Sequence, residues 1–375
     1  MRVLRHIWVL GGKELLLLSR DLVLLLFFAY AFTIDVYMSG EGLGIELRDA
    51  AVAVADEDHS PLSRRLIESL RAPWFQPPEP IAARTIADAL DSGRYTFALT
   101  IPPHFQADLL AGRRPAIQLI VDATAVSQAY VGTAYIQRIM LEELTRYISG
   151  GSPEIALPVE PVIRVRYNPN RESPWYEGLN MLLHSVTMIS MLLPAIALMR
   201  EREHGTIEHL LAMPLSAFTI LASKVWSSMV VVLLGLSLGL VAILRVAFGM
   251  PFAGSPWLFY AGTILFLFGT AGLGILIATV ARNTPQTALL ALLVMMPMIF
   301  LSGAYTPEES MPSGLRQAMV ISPLKYYTQF ATGLVFRGAG LDTLWPDLAA
   351  MAAIGAFVFG LATLRFRAWF AAAQR

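Results

Sequence analysis

Six stretches of this chain are long and apolar enough to cross a membrane, and they constrain its fold more than any other feature. A bilayer's hydrocarbon core is about 30 Å thick, and an α-helix of roughly 17–25 residues spans it. The stretches occupy residues 22–38, 176–199, 225–248, 257–280, 287–304 and 348–364. Only 15% of the 375 residues are charged and 55% are hydrophobic, whereas soluble domains carry about 25% charged residues. We therefore predict a polytopic α-helical membrane protein with six transmembrane helices.

The distribution of Lys and Arg predicts the orientation, because these residues concentrate in cytoplasmic connections. With the N-terminus inside, the short outer connections hold only Arg316, Lys325 and Arg337. The cytoplasmic side then holds Arg2, Arg5, Lys13, Arg20, Arg200, Arg202, Lys224, Arg282, Arg365, Arg367 and Arg375. We expect both termini in the cytoplasm.

The first residues allow two interpretations. A signal peptide over residues 1–31 would have an unusually long basic region, and five more apolar stretches follow it. We instead predict an interfacial helix over 1–21, rich in basic and apolar residues, before the first span at 22–38.

Residues 39–175 change character and predict an α/β domain outside the cytoplasm. Strand-like runs at 51–55, 95–101, 116–122 and 162–167 alternate with helix-like runs at 61–71, 84–92, 103–111 and 126–149. Such alternation favours a small α/β domain. Ser60 followed by Pro61 is typical of a helix start.

Catalytic and metal-binding patterns are weak. The run "DEDHS" at 56–60 lacks the glycine and the distal acid that a calcium loop needs, so it predicts a turn with a helix cap. His204 and His209 are five residues apart and would lie on different helix faces. The chain has no cysteine and no G-x-x-x-x-G-K-[ST] phosphate loop. We predict no metal site, no cofactor and no enzymatic activity, and the zero net charge gives no case for nucleic-acid binding.

A polar stretch, "REREHGTIEHLLAMPLSAF" at 200–218, interrupts the apolar sequence after the second span. Thr206 can cap a helix whose early carboxylate, Glu208, suits the helix dipole. Ile207, Leu210 and Leu211 then share one face. A short capped amphipathic helix is more than a hairpin turn requires, so we interpret it as a docking surface for a cytoplasmic partner.

The same stretch resembles the R-E-x-E-x-G-T-x-E-x-L-x-x-x-P signature of ABC-2 type transporter permeases. The resemblance extends to "KELLLLSRD", "IPPHF", "LSGAYTPEESMP" and "ISPLKYYTQFATGLVFRGAG". In that family the region matching 201–212 is the coupling helix that contacts the ATPase subunit. The matching positions are Arg200, Glu201, Glu203, Gly205, Thr206 and Glu208, and His204 departs from the expected basic residue.

The resemblance implies a permease subunit of an exporter in a bacterial inner membrane. The transmembrane domain would occupy 176–375, with an outer amphipathic segment at 305–345. Two permease chains, identical or paralogous, would work with two ATPase subunits, and a periplasmic adaptor protein is a further candidate partner. The alternatives are an ion-coupled secondary transporter and a membrane-anchored receptor that uses the outer domain.

The substrate path is the least defined element. Asn180, His184, Thr187 and Met191 fall on one face of the second span and are candidates, although a packed polar seam explains them equally well. The methionines around Pro297 are interpreted as ordinary packing. The sequence does not identify the cargo.

Overall fold

The computed structural model describes residues 2–42, 49–91, 93–122, 126–148, 173–205, 216–305, 308 and 311–373. The chain forms two compact units. The helical unit comprises Met1–Leu43 and Arg166–Arg375, and the α/β unit comprises Gly44–Val165.

The described elements follow one another in chain order. They are α1 Arg2–Arg20, α2 Leu22–Phe32, α3 Ile34–Gly42, β1 Val52–Asp56, α4 Pro61–Ser69, β2 Glu79–Pro80, a 3₁₀ turn Ala83–Thr85, α5 Ile86–Asp91, β3 Phe97–Ile101, α6 Phe105–Leu110, β4 Gln118–Val121, α7 Val126–Ile148, α8 Ser173–Glu203, α9 Ala217–Leu238, a π-helical stretch Gly239–Ala247, α10 Pro256–Val280, α11 Thr284–Phe300, α12 Ser313–Met319, α13 Pro323–Arg337 and α14 Leu341–Ala373.

Five helices among the described residues are long and apolar enough to cross a membrane. They cover Leu22–Glu41, Ser173–Glu203, Ala217–Ala247, Pro256–Val280 and Leu341–Ala368. The prediction of a helical membrane protein is thereby confirmed. The remaining predicted span corresponds to α11, which has 17 residues and rises only about 26 Å. The count of six spans therefore stays a prediction.

Polar caps begin several of these helices. The Asp21 side chain accepts a hydrogen bond from the Leu24 amide and begins α2. The Ser216 hydroxyl accepts one from the Thr219 amide and begins α9. Capping oxygens of this kind satisfy amides that have no partner within the helix.

The helix α8 packs closely against α10 at a glycine. A β-carbon built on Gly274 would lie 1.9 Å from the Met191 carbonyl oxygen, so no larger residue fits without separating the two helices. Nearby, the Ser190 and Thr270 hydroxyl groups are 2.7 Å apart and form a buried hydrogen bond. These contacts fix α8 in the interior of the helical unit.

The α/β unit contains a four-stranded sheet in the order β2-β1-β3-β4. β1 is parallel to β2 and β3, and β4 is antiparallel to β3. β1, β3 and β4 match three predicted strands, whereas β2 has two residues, one of them proline, and its sequence gave no strand signal. The predicted strand at 162–167 lies outside the described residues.

The run at 56–60 forms the predicted turn and cap. The Asp56 carboxylate accepts hydrogen bonds from the amides of Asp58 and His59, and the Ser60 hydroxyl accepts one from the Ser63 amide. No cluster of metal-binding side chains occurs among the residues that the structure describes.

Candidate functional site: the charged collar and the methionine pocket

The polar residues 200–205 at the end of α8, here called the collar, contact several other helices. Arg200 donates a hydrogen bond to Asp21 at the start of α2, with 2.9 Å between Nη2 and Oδ2. The Leu24 amide, followed by Arg200, lowers the pKa of the Asp21 carboxyl below its usual value. Asp21 therefore stays ionised and holds the collar next to the first span.

The most buried part of the collar is an ion triad. The Lys224 Nζ in α9 lies 2.8 Å from Glu201 Oε2 and 3.0 Å from Glu14 Oε1 in α1. The Lys224 side chain is 1% exposed, and a lysine is almost never fully buried unless it is paired. The triad therefore connects α1, α8 and α9 through a group that cannot easily lose its partners.

The triad corrects one sequence-based expectation, which placed Lys224 in a cytoplasmic connection. The span was predicted over residues 225–248, but α9 begins at Ala217, so Lys224 lies inside a helix. The Lys224 ammonium group pairs with two carboxylates inside the protein. The Glu201 side chain is only 15% exposed.

The next two collar residues bind the connection between α10 and α11. Arg202 Nη1 donates to the Ala281 carbonyl at 2.8 Å. The Glu203 carboxylate accepts from the Thr284 amide at 2.6 Å and from the Thr284 hydroxyl at 2.8 Å. Four consecutive side chains thus attach the end of α8 to α1, α2, α9 and the α10–α11 connection.

Gly205 ends the described part of the collar. Its φ is +68°, and no atom of the described residues lies within 4 Å of the position that a β-carbon would take. Glu203, His204 and Gly205 are exposed. Thr206, Glu208 and the rest of the predicted coupling helix at 201–212 lie outside the described residues, so their contacts stay predictions.

A cavity of about 400 Å³ opens beside the collar. Its apolar wall comes from leucines of α1, α2 and α8, and its polar wall includes Glu14, Arg200 and Glu201. Each of these three charged groups has an ion-pair partner within the helical unit. Lys13 and His204 also line the cavity, so its polar wall combines paired charges with two exposed basic side chains.

A second cavity, here called the methionine pocket, lies between α3, α8 and α11. Its volume is about 390 Å³, and Met181, Met188, Met295 and Met296 contribute to its apolar wall. Its other lining residues are Asp35, His184, Ser185, Leu292, Ile299, Phe300 and Tyr305. His184 precedes Arg200 by sixteen positions in α8, so the pocket is about 24 Å from the collar along the helix.

His184 has an unusual environment within this pocket. The residue is 3% exposed, and its Nε2 has no hydrogen-bond partner among the described residues. Its ring stacks on Tyr305, with ring centres 5.8 Å apart and an angle of 24° between the planes. Because an unsatisfied buried polar group costs about 1–3 kcal/mol, this nitrogen is a candidate ligand contact.

The four predicted path residues do not all line this cavity. His184 lines the methionine pocket, but Asn180, Thr187 and Met191 do not. The Thr187 hydroxyl donates to the Leu183 carbonyl of its own helix, and Met191 packs against α10. The pocket instead uses the adjacent face of α8, with Met181, Ser185 and Met188, which sequence reasoning missed.

Known proteins resemble this chain along nearly its whole length. The profile of a family described as "ABC-2 family transporter protein" matches residues 21–364. "Inner membrane transport permease YhhJ" of Escherichia coli (strain K12) is 43% identical over 371 residues, which are 98% of this chain and 98% of the relative. "Probable multidrug ABC transporter permease YbhR" of the same organism is 28% identical over 364 residues, 96% of this chain and 98% of the relative. "Probable multidrug ABC transporter permease YbhS", also from that organism, is 26% identical over 349 residues, 91% of this chain and 89% of the relative.

Proposed function

The chain belongs to the ABC-2 family of transporter permeases, and from this premise we propose that it is the membrane subunit of an exporter driven by a separate ATPase. Permeases of this family generally pair with ATPase subunits and form dimers. The sequence lacks a phosphate loop of its own, which is consistent with ATP hydrolysis in a partner chain. The complex would contain two permease chains and two ATPase subunits.

The collar carries this proposal. An element that transmits force needs stiff attachments to the parts that it moves, and the collar attaches the end of α8 to the ends of several helices. A movement imposed on the residues after Gly205 would therefore act on several spans together. We propose that residues 201–212 form the coupling element. Arg200, Glu201 and Glu203 anchor it to neighbouring helices, and Gly205, Thr206 and Glu208 face the ATPase.

A secondary transporter is the first rival function. Such proteins usually bury ionisable groups near the bilayer midplane. The triad of Glu14, Lys224 and Glu201 is buried, but Glu201 is two residues from the end of α8. Its position at a helix end favours an anchoring role over an ion pathway. A membrane-anchored receptor would need only one or two spans, and the described residues contain five candidates.

We further propose an inner-membrane topology with six spans, both termini in the cytoplasm and the α/β unit outside. The chain has no cysteine, so single cysteines can report it. Leu110→Cys at the exposed end of α6 should react with an impermeant maleimide in intact cells, and His204→Cys in the collar should react only after lysis. The reverse pattern would contradict the orientation.

The functional proposal is tested with the purified chain and its partner. The permease alone should show no magnesium-dependent ATP hydrolysis above the background of an empty-vector preparation. Co-expression with an ATPase encoded next to it should give a stable complex that hydrolyses ATP. Turnover by the permease alone, or failure of every neighbouring ATPase to co-purify, would contradict a permease with a separate ATPase.

A further inference from the structure

The methionine pocket has the size and lining of a small-molecule site. Its volume of about 390 Å³ falls within the range of roughly 300–1,000 Å³ that is typical of ligand pockets. Methionine side chains are flexible and polarizable, so a wall with four of them adapts to apolar ligands of different shapes. Phe300 and Tyr305 add aromatic surface. These features favour an apolar ligand.

The charge in the pocket is negative and unpaired. Asp35 is half-buried in the wall, and no hydrogen bond or ion pair joins its carboxylate to another described residue. No Lys or Arg belongs to the described lining. Burial, followed by the Glu177 carboxylate, raises the pKa of the Tyr305 hydroxyl above its usual value, which indicates a second acidic group near this wall. An apolar pocket with an unpaired carboxylate is complementary to a cation.

The aromatic side chains favour the same ligand charge. The stacked rings of His184 and Tyr305 and the ring of Phe300 belong to the lining, and the π faces of aromatic rings attract cations. The unpartnered Nε2 of His184 offers an acceptor for a ligand donor in the same place. A lipid acyl chain would need neither the carboxylate nor this acceptor.

We propose that the methionine pocket binds a lipophilic organic cation, with Asp35 as the charge partner and with His184, Phe300 and Tyr305 as the contact surface. The proposal rests on the transport function proposed above and names the chemical class of its substrate. Asp35 determines charge selectivity, and the methionines determine tolerance of shape.

Two probes of nearly equal shape and opposite charge test the proposal. Radiolabelled tetraphenylphosphonium should bind the purified permease saturably, and excess unlabelled compound should displace it. Tetraphenylborate, which has the same four rings but a negative charge, should compete at least tenfold more weakly. Asp35→Asn should weaken tetraphenylphosphonium binding about tenfold.

A matched control separates the pocket from general effects of charge. Asp347 is another half-buried carboxylate in a span, but it does not line the pocket, so Asp347→Asn should bind the cation like the wild type. Size-exclusion profiles establish that both variants are folded. Absence of saturable binding, equal competition by tetraphenylborate, or equal binding by Asp35→Asn would overturn the proposal.

A labelling experiment tests the rival occupants directly. Met296 is 54% exposed, and Met296→Cys in the otherwise cysteine-free chain should react with a maleimide unless tetraphenylphosphonium protects it. Ready disulfide cross-linking of two chains at this position, unaffected by the cation, would assign the pocket to a second copy and overturn the proposal.

These tests do not depend on the ATPase, so the two proposals can fail separately. Cation binding without any ATPase complex would leave the pocket assignment intact and contradict the driven exporter. A functional ATPase complex whose permease does not bind the cation would support the driven exporter and contradict the pocket assignment.

Discussion

The cavity beside the collar and the methionine pocket are almost equal in volume, at about 400 and 390 Å³. They differ in whether their buried polar side chains have partners. Beside the collar, Glu14, Arg200 and Glu201 have partners on other helices. In the methionine pocket, Asp35 and the Nε2 of His184 have no hydrogen-bond partner among the described residues. Paired charges hold helices together, whereas unpaired buried groups are available to a ligand. The comparison therefore separates an anchoring site from a binding site within the same helical unit.

The largest effect should come from breaking the collar's buried pairing. Lys224→Met leaves Glu14 and Glu201 close together without their shared cation, and removing one partner of a buried ion pair costs about 3–5 kcal/mol. Thermal unfolding in detergent should show a much lower midpoint than for the wild type. Lys13→Met, an exposed lysine on the same helix as Glu14, should change the stability by only about 0.5 kcal/mol.

Neutralising the whole triad tests whether unpaired buried charge causes the loss of stability in Lys224→Met. A triple variant with Glu14→Gln, Glu201→Gln and Lys224→Met removes the charges together, and it should recover part of the stability lost by Lys224→Met alone. If Lys224→Met unfolds at the wild-type midpoint, the triad does not anchor the collar.

The corresponding change in the methionine pocket should have the smallest effect. His184→Leu removes a buried nitrogen that has no hydrogen-bond partner among the described residues, so it should leave the unfolding midpoint unchanged or raise it slightly. The wild-type midpoint is the reference for both histidine and lysine variants. A loss of stability like that of Lys224→Met would show that His184 is a structural residue, and the contrast between the two cavities would disappear.

The sequence predicted the spans better than the polar contacts. Long apolar runs depend on local composition, and all five long helices overlap predicted spans. The third predicted span begins at residue 225, although α9 begins at Ala217, because Ser223 and Lys224 lower the local hydropathy before it. These side chains are buried, and the Glu14 partner of Lys224 is 210 positions away in the chain. Only the tertiary structure brings such partners together.

The lining of the methionine pocket could not be predicted from the sequence either, because it also depends on the tertiary structure. The polar face chosen on α8 from the sequence includes His184, which lines the pocket. Thr187 instead forms a hydrogen bond within its own helix, and Met191 packs against α10. The pocket wall comes from Met181 and Met188, combined with Met295 and Met296 of α11, which we had assigned to packing. Hydropathy does not distinguish a methionine in a core from one in a cavity, because both are apolar.

The contacts of the collar residues show which substitution tests coupling most directly. Glu201 is unsuitable, because its replacement disturbs the triad as well as any partner contact. Gly205 is exposed, and a β-carbon there would meet no atom of the described residues within 4 Å. Within the described part of the permease, a substitution at Gly205 therefore acts through the backbone, whose φ of +68° an L-residue adopts only with strain.

The most direct measurement is ATP hydrolysis by the complete permease–ATPase complex with Gly205→Val or Gly205→Asn in the collar. Valine resists the left-handed conformation, at a cost of roughly 1–2 kcal/mol, whereas asparagine tolerates it. Gly205→Val should lower transport-coupled hydrolysis about tenfold while the permease alone keeps its unfolding midpoint, and Gly205→Asn should stay close to the wild type. Wild-type assembly and hydrolysis in the Gly205→Val complex would contradict the assignment of the collar as the coupling element.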